Sequence, residues 1–464
     1  VPSPNVALAG SSRTNADGKI DQGLQSHGCT IEQVPSFITD LPTGLETGTY
    51  LAVDLGGTNI RVCSVTFHGD GTHSLVQDKM VIPVELMTSK TSKGLFNLVA
   101  RSVQGFLRTH HPESLTTKVV NDIEERRIFD LGFTFSHAVN QLDINSGTLI
   151  RWSKGFDIDG VVGQDICALL QNELTELVLP VRVTALINDT VGTLMARAYA
   201  SPNSAHTVLG AVFGTGTNGA YVEKASKITK LHGSAAGKEG IMIVNSEWGN
   251  FDQALEYLPT TAYDKAIDIG SVNPGVEMFE KRISGMYLGE ILRLVILCLI
   301  EDPKVDLFSG SRVPEKSRLH VQWGLDSSFM SHLESDITPD LSASIAELEQ
   351  CTGIKSASLE DIQTLRIISH AIGRRSARLS AVALGAVIVQ TGCLGGEDGE
   401  RVDIGVDGSL IELYPGFIDE MRSALKEIPQ IGEGEKRVDV AIAKDGSGVG
   451  AALAAHVAAR HLNC

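Results

Sequence analysis

Thr49-Tyr-Leu-Ala-Val-Asp-Leu-Gly-Gly-Thr-Asn59 runs without a break into Ile60-Arg-Val-Cys-Ser-Val-Thr-Phe67. Both arms are β-branched and apolar, as strands are, and the small residues between them allow a tight reversal. A His68-Gly-Asp-Gly71 turn and a further run over residues 74–83 complete a meander of three strands. Leu95, Leu98, Val99, Val103, Phe106 and Leu107 then recur at helical spacing, so an α/β fold is expected.

The reversal itself carries chemistry. In Asp54-Leu-Gly-Gly-Thr-Asn a strand-end carboxylate precedes small residues whose N–H groups can approach phosphate oxygens, while the acid helps hold a hydrated Mg²⁺. An ordinary hairpin turn that happens to contain an Asp fits this motif equally well.

Outward from this point the cassette repeats. Thr207-Val-Leu-Gly-Ala-Val-Phe leads into Gly214-Thr-Gly-Thr-Asn-Gly219 and then Ala220-Tyr-Val-Glu, so Gly57-Thr58-Asn59 has a counterpart in Gly216-Thr217-Asn218. A repeat of this size predicts two related α/β domains facing each other with a ligand between them. The second turn also satisfies the G-x-G-x-x-G pattern of dinucleotide folds, but that pattern needs a helix to start at the glycines. Here a strand-like segment follows, and a phosphate-cradling hairpin fits better. Near the end, Asp403-Ile-Gly-Val-Asp-Gly-Ser-Leu reads as a strand into a turn, and Lys444-Asp-Gly-Ser-Gly-Val-Gly opens an Ala-rich helix over residues 451–459.

Bulk properties narrow the function. A chain of 464 residues exceeds one ordinary core. Its 39 Lys+Arg against 56 Asp+Glu leave a net charge of −17, which repels nucleic acid and anionic membranes and favours small-molecule chemistry. The seven cysteines are scattered and never spaced C-x-x-C, which points to a reducing, cytoplasmic setting. The apolar stretches 288–300 and 381–393 are too short to cross a bilayer. Residues 1–47 read as weakly ordered as far as the turn at Leu41-Pro-Thr-Gly.

Three other acids stand in distinctive settings. Asn188-Asp189-Thr190 lies between a strand (Arg182-Val-Thr-Ala-Leu-Ile) and a helix over 191–200, where α/β active sites form, although a helix N-cap reads the same way. Glu247 lies in Asn245-Ser-Glu-Trp-Gly-Asn and Glu280 in Phe279-Glu-Lys-Arg. Acids and amides converging on one pocket suit vicinal hydroxyls, but a lone Glu is most often a solvated surface residue.

These motifs, with Leu131-Gly-Phe-Thr-Phe-Ser, Trp152-Ser-Lys-Gly-Phe-Asp-Ile, Ile187-Asn-Asp-Thr-Val-Gly-Thr and Gly405-Val-Asp-Gly-Ser, occur in one order from Leu41 onward. In that order they resemble the eukaryotic hexokinases and glucokinases, particularly the fungal ones. The resemblance implies two ribonuclease-H-like domains of the actin-like ATPase architecture, divided as 50–189 plus 443–464 (small) and 1–49 plus 190–442 (large). It implies transfer of the ATP γ-phosphoryl group to the 6-hydroxyl of glucose or another hexose, with Mg²⁺, as the first step of glycolysis.

By position, Ser136, Ser153, Lys154, Asn188, Asp189, Asn218, Glu247 and Glu280 match the family's sugar contacts, with Asp189 as the base and Lys154 at the reacting centre. Asp54, Gly56, Gly57, Thr58, Asn59 and Arg61 match the first phosphate loop, with Asp54 holding Mg²⁺ through water; Gly214, Thr215 and Gly216 match the second. Gly408 and Ser409 match the adenosine side. The family usually carries an aromatic residue and Pro where this chain has His137-Ala138, and Thr where it has Ser153. A non-catalytic sugar sensor and an actin- or chaperone-like ATPase are the rival classes. Intact Asp189 and Lys154 oppose the first, and the acids in sugar contexts oppose the second.

Overall fold

The computed structural model describes residues 16–462 except 117, 121–122, 126, 154, 202–205, 232–238 and 396–400. Helix α1 (Ala16–Gln25) and the short strand β1 (Val34–Pro35) come first. Strands β2 (Thr47–Leu55), β3 (Asn59–His68) and β4 (His73–Val81) form the expected meander, and α2 (Ser92–His110) follows. Next are β5 (Phe129–Phe135) and a ribbon of β6 (Ala138–Asp143) and β7 (Ser146–Arg151). Then α3 (Ile166–Glu176), β8 (Val181–Ile187) and α4 (Asp189–Ala200) close the first half.

The second half begins with β9 (His206–Phe213), β10 (Thr217–Lys224) and β11 (Ile241–Asn245). A helical region includes α5 (Glu280–Ile283), α6 (Gly285–Glu301) and α7 (Leu359–Thr391). Strands β12 (Val402–Asp407) and β13 (Val438–Ile442) and helix α8 (Gly446–Leu462) end the chain.

The two halves share one connectivity. The first sheet runs β8-β5-β2-β3-β4, and the second runs β13-β12-β9-β10-β11 with β1 added at its edge. In each, the hairpin and meander pairs are antiparallel and the two later strands are parallel. The Gly-Thr-Asn reversals occupy the same place in both, joining the central strand to its antiparallel neighbour.

The helices that leave the sheets change sides. Helix α4 follows β8 of the first sheet but packs on β9 and β12 of the second. Helix α8 follows β13 of the second sheet but covers β2, β5 and β8 of the first. The period of strands explains how both faces are filled: Leu51, Val53 and Leu55 enter one core with α2 and α3, whereas Ala52 faces the other way, towards α8. The buried alanines 451, 452, 454, 455 and 458 let α8 lie close to that small-residue face. On the other side, Arg197 of α4 makes a bidentate pair with Asp403 of β12, with Nε–Oδ2 2.8 Å and Nη2–Oδ1 2.6 Å.

One expectation fails here. The segment from Ala16 to Ile38 is packed rather than weakly ordered: Ile20, Leu24, Ile31 and Ile38 are buried. β1 pairs antiparallel with β11, and Lys230 Nζ donates to the carbonyls of Gly23, Glu32 and Gln33 at 2.8, 2.6 and 2.8 Å. Four apolar side chains scattered through polar sequence give no periodic signal, yet they fill holes in a core built by other elements.

Helices α4 and α8 cross at glycine. A Cβ on Gly450 would lie 2.2 Å from Gly192 Cα, and one on Gly192 would lie 2.8 Å from Gly446 O. Gly450→Ala is therefore expected to lower the thermal midpoint, with a cost of about 1–3 kcal/mol from overpacking. Gly105→Ala is the control, since nothing lies within 4 Å of its Cβ position on α2; it should be neutral or stabilising by about 0.5–1 kcal/mol. Thermal melts of the two variants decide this, and a Gly450→Ala midpoint equal to wild type would mean the crossing is not tight.

Candidate active site

Strand β8 ends at Ile187, and the turn into α4 sets Asn188 and Asp189 at the carboxyl edge of the first sheet. Asn188 is the N-cap: its Oδ1 accepts from Thr190 N at 2.9 Å and Thr190 Oγ1 at 2.7 Å. Asp189 is the first helical residue, and its Oδ1 accepts from Thr190 N at 2.9 Å. The capping role and the candidate catalytic role thus fall on adjacent residues.

Across from it, the second sheet supplies an amide–carboxylate cluster. Asn218, at the start of β10, donates through Nδ2 to Asn245 Oδ1 at 2.8 Å, to Glu247 Oε1 at 3.2 Å and, weakly, to Asn188 Oδ1 at 3.5 Å. Asn245 Nδ2 donates to Glu247 Oε1 at 2.7 Å. Glu247 has φ 56°, a left-handed conformation that is costly for a non-glycine residue and recurs at functional sites. Ser246 N donates to Gly219 O at 2.8 Å and Trp248 Nε1 to Thr217 Oγ1 at 3.0 Å, and these bonds hold the turn in place.

Part of Glu247 reaches solvent, but its carboxylate is enclosed by protein. Burial pushes it up to about 7, with Glu32, Asp189 and Glu277 adding to the rise and the Asn245 hydrogen bond opposing it. Glu280 opens α5, and its Oε2 accepts from Thr217 N at 2.9 Å, one residue from Asn218. Gly216 leaves room for it, because a Cβ there would come within 2.8 Å of that same oxygen.

Ser136 follows β5, next to His137. Ser153 Oγ lies 2.9 Å from His137 Nδ1. Lys154 lies outside the described residues. Arg151 of β7 reaches Glu277 with N–O 3.6 Å, so the ribbon of the first half touches the loop that leads to Glu280.

The phosphate-turn candidates form two groups. In the first, Gly56 N donates to Asn59 O at 3.1 Å, closing the reversal, and Asn59 Nδ2 donates to Thr58 Oγ1 at 2.7 Å. Asp54 Oδ2 accepts from Ser447 Oγ at 2.9 Å, and Arg61 pairs with Asp445 at 3.5 Å, so this turn meets the start of α8. In the second, Gly214 N donates to Gly216 O at 3.0 Å, and Gly285 N and Met286 N donate to Gly214 O and Thr215 O at 2.8 and 3.2 Å.

A Cβ on Gly214 would lie 3.4 Å from Gly408 Cα, so the second turn and the Gly408-Ser409 turn are in contact. Gly408 has φ 114°, and its Cβ position lies 2.5 Å from Phe213 O, so only glycine fits.

Four residues here escaped the sequence reading of roles. Asn245, Asp407, Asp445 and Ser447 all lie in stretches that were singled out, each within two residues of a strand end or helix start. Burial pushes the Asp407 carboxyl up to about 6, opposed by the Gly408 N–H, with Glu412, Asp189 and Asp445 raising it further. These carboxylates therefore share one region of negative potential. A strand end, for Asn245 and Asp407, and a helix start, for Asp445 and Ser447, were the signals that could have found them.

Two sheets of identical connectivity, with turns of small residues and carboxylates at their facing ends, are the architecture of the actin-like ATPase fold. Two family models, both described as hexokinase, match residues 13–199 and 208–457. A glucokinase from Aspergillus niger is 51% identical over 95% of this chain and 92% of its own. Glucokinase-1 of Saccharomyces cerevisiae is 43% identical over 92% and 88%. A solved hexokinase from Schistosoma mansoni, complexed with glucose, superposes with a TM-score of 0.80 at 34% identity over 96% of this chain and 93% of that one. The chain belongs to the hexokinase family and is an ATP-dependent sugar kinase.

The raised Glu247 carboxyl has a consequence for stability. Free glutamate titrates at about 4.3, so between about pH 4.3 and the folded value of about 7 the native state holds a proton that the unfolded chain releases. This contribution to stability is complete below about pH 4.3 and is lost as pH rises through 7. Glu247→Gln should flatten the fall of the melting midpoint of the ligand-free protein between pH 5 and pH 7.5. A variant with the wild-type slope would assign the titration to another group.

Proposed function

We propose that the chain transfers the γ-phosphoryl group of ATP to the 6-hydroxyl of glucose, and of related hexoses such as mannose or fructose, in the cleft between the two sheets. The observation that carries this reading is the hydrogen-bonded set Asn188, Asn218, Asn245 and Glu247 beside Asp189. It offers amide donors and carboxylate acceptors in the pattern that vicinal hydroxyls require. On this reading Ser136, Ser153, Asn188 and Asp189 hold the sugar from one side and Asn218, Glu247 and Glu280 from the other, with Lys154 as a further contact.

Asp189 takes the proton of the 6-hydroxyl as O6 bonds to the γ-phosphorus and the bond to the bridging oxygen of ADP breaks. Lys154, Arg61 and the turn N–H groups stabilise charge on the transferring group. The nucleotide lies between the 54–61 and 214–216 turns, with its adenosine towards Gly408 and Ser409.

Among the described residues, no three His, Cys, Asp or Glu side chains converge to bind a metal directly. The strand-end carboxylate of Asp54 nonetheless suits a hydrated cation, which it would hold through water together with the phosphates. Mg²⁺ so held would neutralise charge on the β and γ oxygens.

The domain division 50–189 plus 443–464 against 1–49 plus 190–442 follows from the same reading, and the exchange of α4 and α8 between sheets supports it. We place the enzyme in the cytoplasm, at the entry to glycolysis; among the described residues no helix is long and apolar enough to cross a membrane.

Asp189→Ala tests the assignment. Glucose turnover in an ADP-coupled assay should fall by about 10²–10⁴-fold, while glucose binding by calorimetry changes by only a few fold. Residual turnover within about tenfold of wild type, a difference of ~1.4 kcal/mol, would remove Asp189 as the base. Running wild type with glucose, mannose and fructose in the same assay sets the sugar range.

A further inference from the structure

His137 replaces the aromatic residue usual in the family, and it is buried, with 7% of its surface exposed. Phe135, Trp152 and Phe156 enclose its ring at centroid distances of 4.8, 5.1 and 5.1 Å, the latter two edge-on. A hydrocarbon ring would fill that box as well. What imidazole adds is Nδ1, 2.9 Å from Ser153 Oγ. The ribbon sets this contact: Ala138 pairs with Arg151, so His137 and the Trp152-Ser153 step emerge side by side. Trp152 is itself fixed, stacked on Phe156 at 5.4 Å and donating through Nε1 to Ile158 O at 3.2 Å.

We propose that His137 is a positioning residue for the hexose, acting through Ser153: the Nδ1 contact fixes the serine rotamer and the direction of its hydroxyl. The inference rests on the reading that Ser153 contacts the sugar. The family's usual threonine needs no such help, because a β-branched side chain is stiff about χ1. Serine lacks the methyl group, and its hydroxyl turns to suit any partner. The two departures in this chain therefore compensate each other. The histidine hydrogen bond supplies the restraint that the missing methyl would have given, and it holds one face of the hydroxyl so that the other is presented to the sugar.

Steady-state kinetics on wild type, His137→Phe, Ser153→Ala and the double variant provide the test. Wild-type turnover of glucose comes first; its absence would reject the functional reading itself, separately from this proposal. Given turnover, His137→Phe keeps the ring packing and should raise the glucose KM about fivefold, the effect of one net hydrogen bond, with kcat changed less than about twofold. The double variant should be no worse than Ser153→Ala alone. Ser153→Thr in the His137→Phe background should restore the wild-type KM, which a merely structural role for His137 would not allow. An unchanged KM in His137→Phe, additive effects in the double variant, or no rescue by threonine would each overturn the proposal. If His137→Phe fails to fold by circular dichroism, His137→Asn, which keeps a hydrogen-bonding atom near the Nδ1 position, must retain the wild-type KM, and a raised KM there would overturn it.

Discussion

The contact of Gly192 with Gly446 and Gly450 is the constraint on which the rest of the molecule depends. Two helices, each leaving one sheet and packing on the other, cross there with no side chain between them. Because each helix begins at a strand end, the crossing fixes where both starts lie: Asn188 and Asp189 on one, Asp445 and Ser447 on the other. Ser447 bonds Asp54 and Asp445 pairs with Arg61, so the first turn is tied to the helix that comes from the opposite half. Closeness at one point thus sets the geometry of groups nearly 400 residues apart in sequence, as a separation of |i−j| = 393 for the Ser447–Asp54 bond shows.

At the end of the second sheet two acids sit in costly settings. Glu247 has a left-handed backbone and a carboxyl raised to about 7, and Asp407 is raised to about 6 by burial and by neighbouring carboxylates. Neither is what stability alone would select. Both are consistent with a cleft whose hydrogen-bond acceptors are oriented in advance and whose negative potential is completed by ligands. A sugar would satisfy the amides and acids of the second sheet, and a nucleotide with its cation would satisfy the carboxylates between the turns.

Much of this was legible in the sequence because it is local. The β-branched, apolar runs on either side of Gly56-Gly57 gave the hairpin, the second Gly-Thr-Asn gave the repeated half, and strand-end placement gave Asp189 its setting. The Gly214 turn was separable from a dinucleotide fingerprint because Ala220-Tyr-Val-Glu has no helical period, and a strand does follow it. What stayed hidden depends on distance in the chain. The exchange of α4 and α8 between sheets leaves no periodic trace, and only the family resemblance assigned residues 443–464 to the first half; the docking of residues 16–38 rests on single apolar side chains entering a core assembled elsewhere. The bond of Asn245 to Glu247 and the contact of His137 with Ser153, set by the register of the 138–151 ribbon, are likewise features of the fold. Convergence is a property of the fold, and spacing alone could not show that Asn188 and Glu247 both reach Asn218.

On the proposed reading the sugar contacts are divided between the two halves, and the sugar itself should draw those halves together. Closure would exclude water from the phosphoryl group and assemble the acceptor side, so that binding energy serves specificity. Small-angle scattering of the protein with and without saturating glucose measures this most directly. The account predicts a smaller radius of gyration with glucose; identical scattering curves, with glucose shown to be bound, would contradict it.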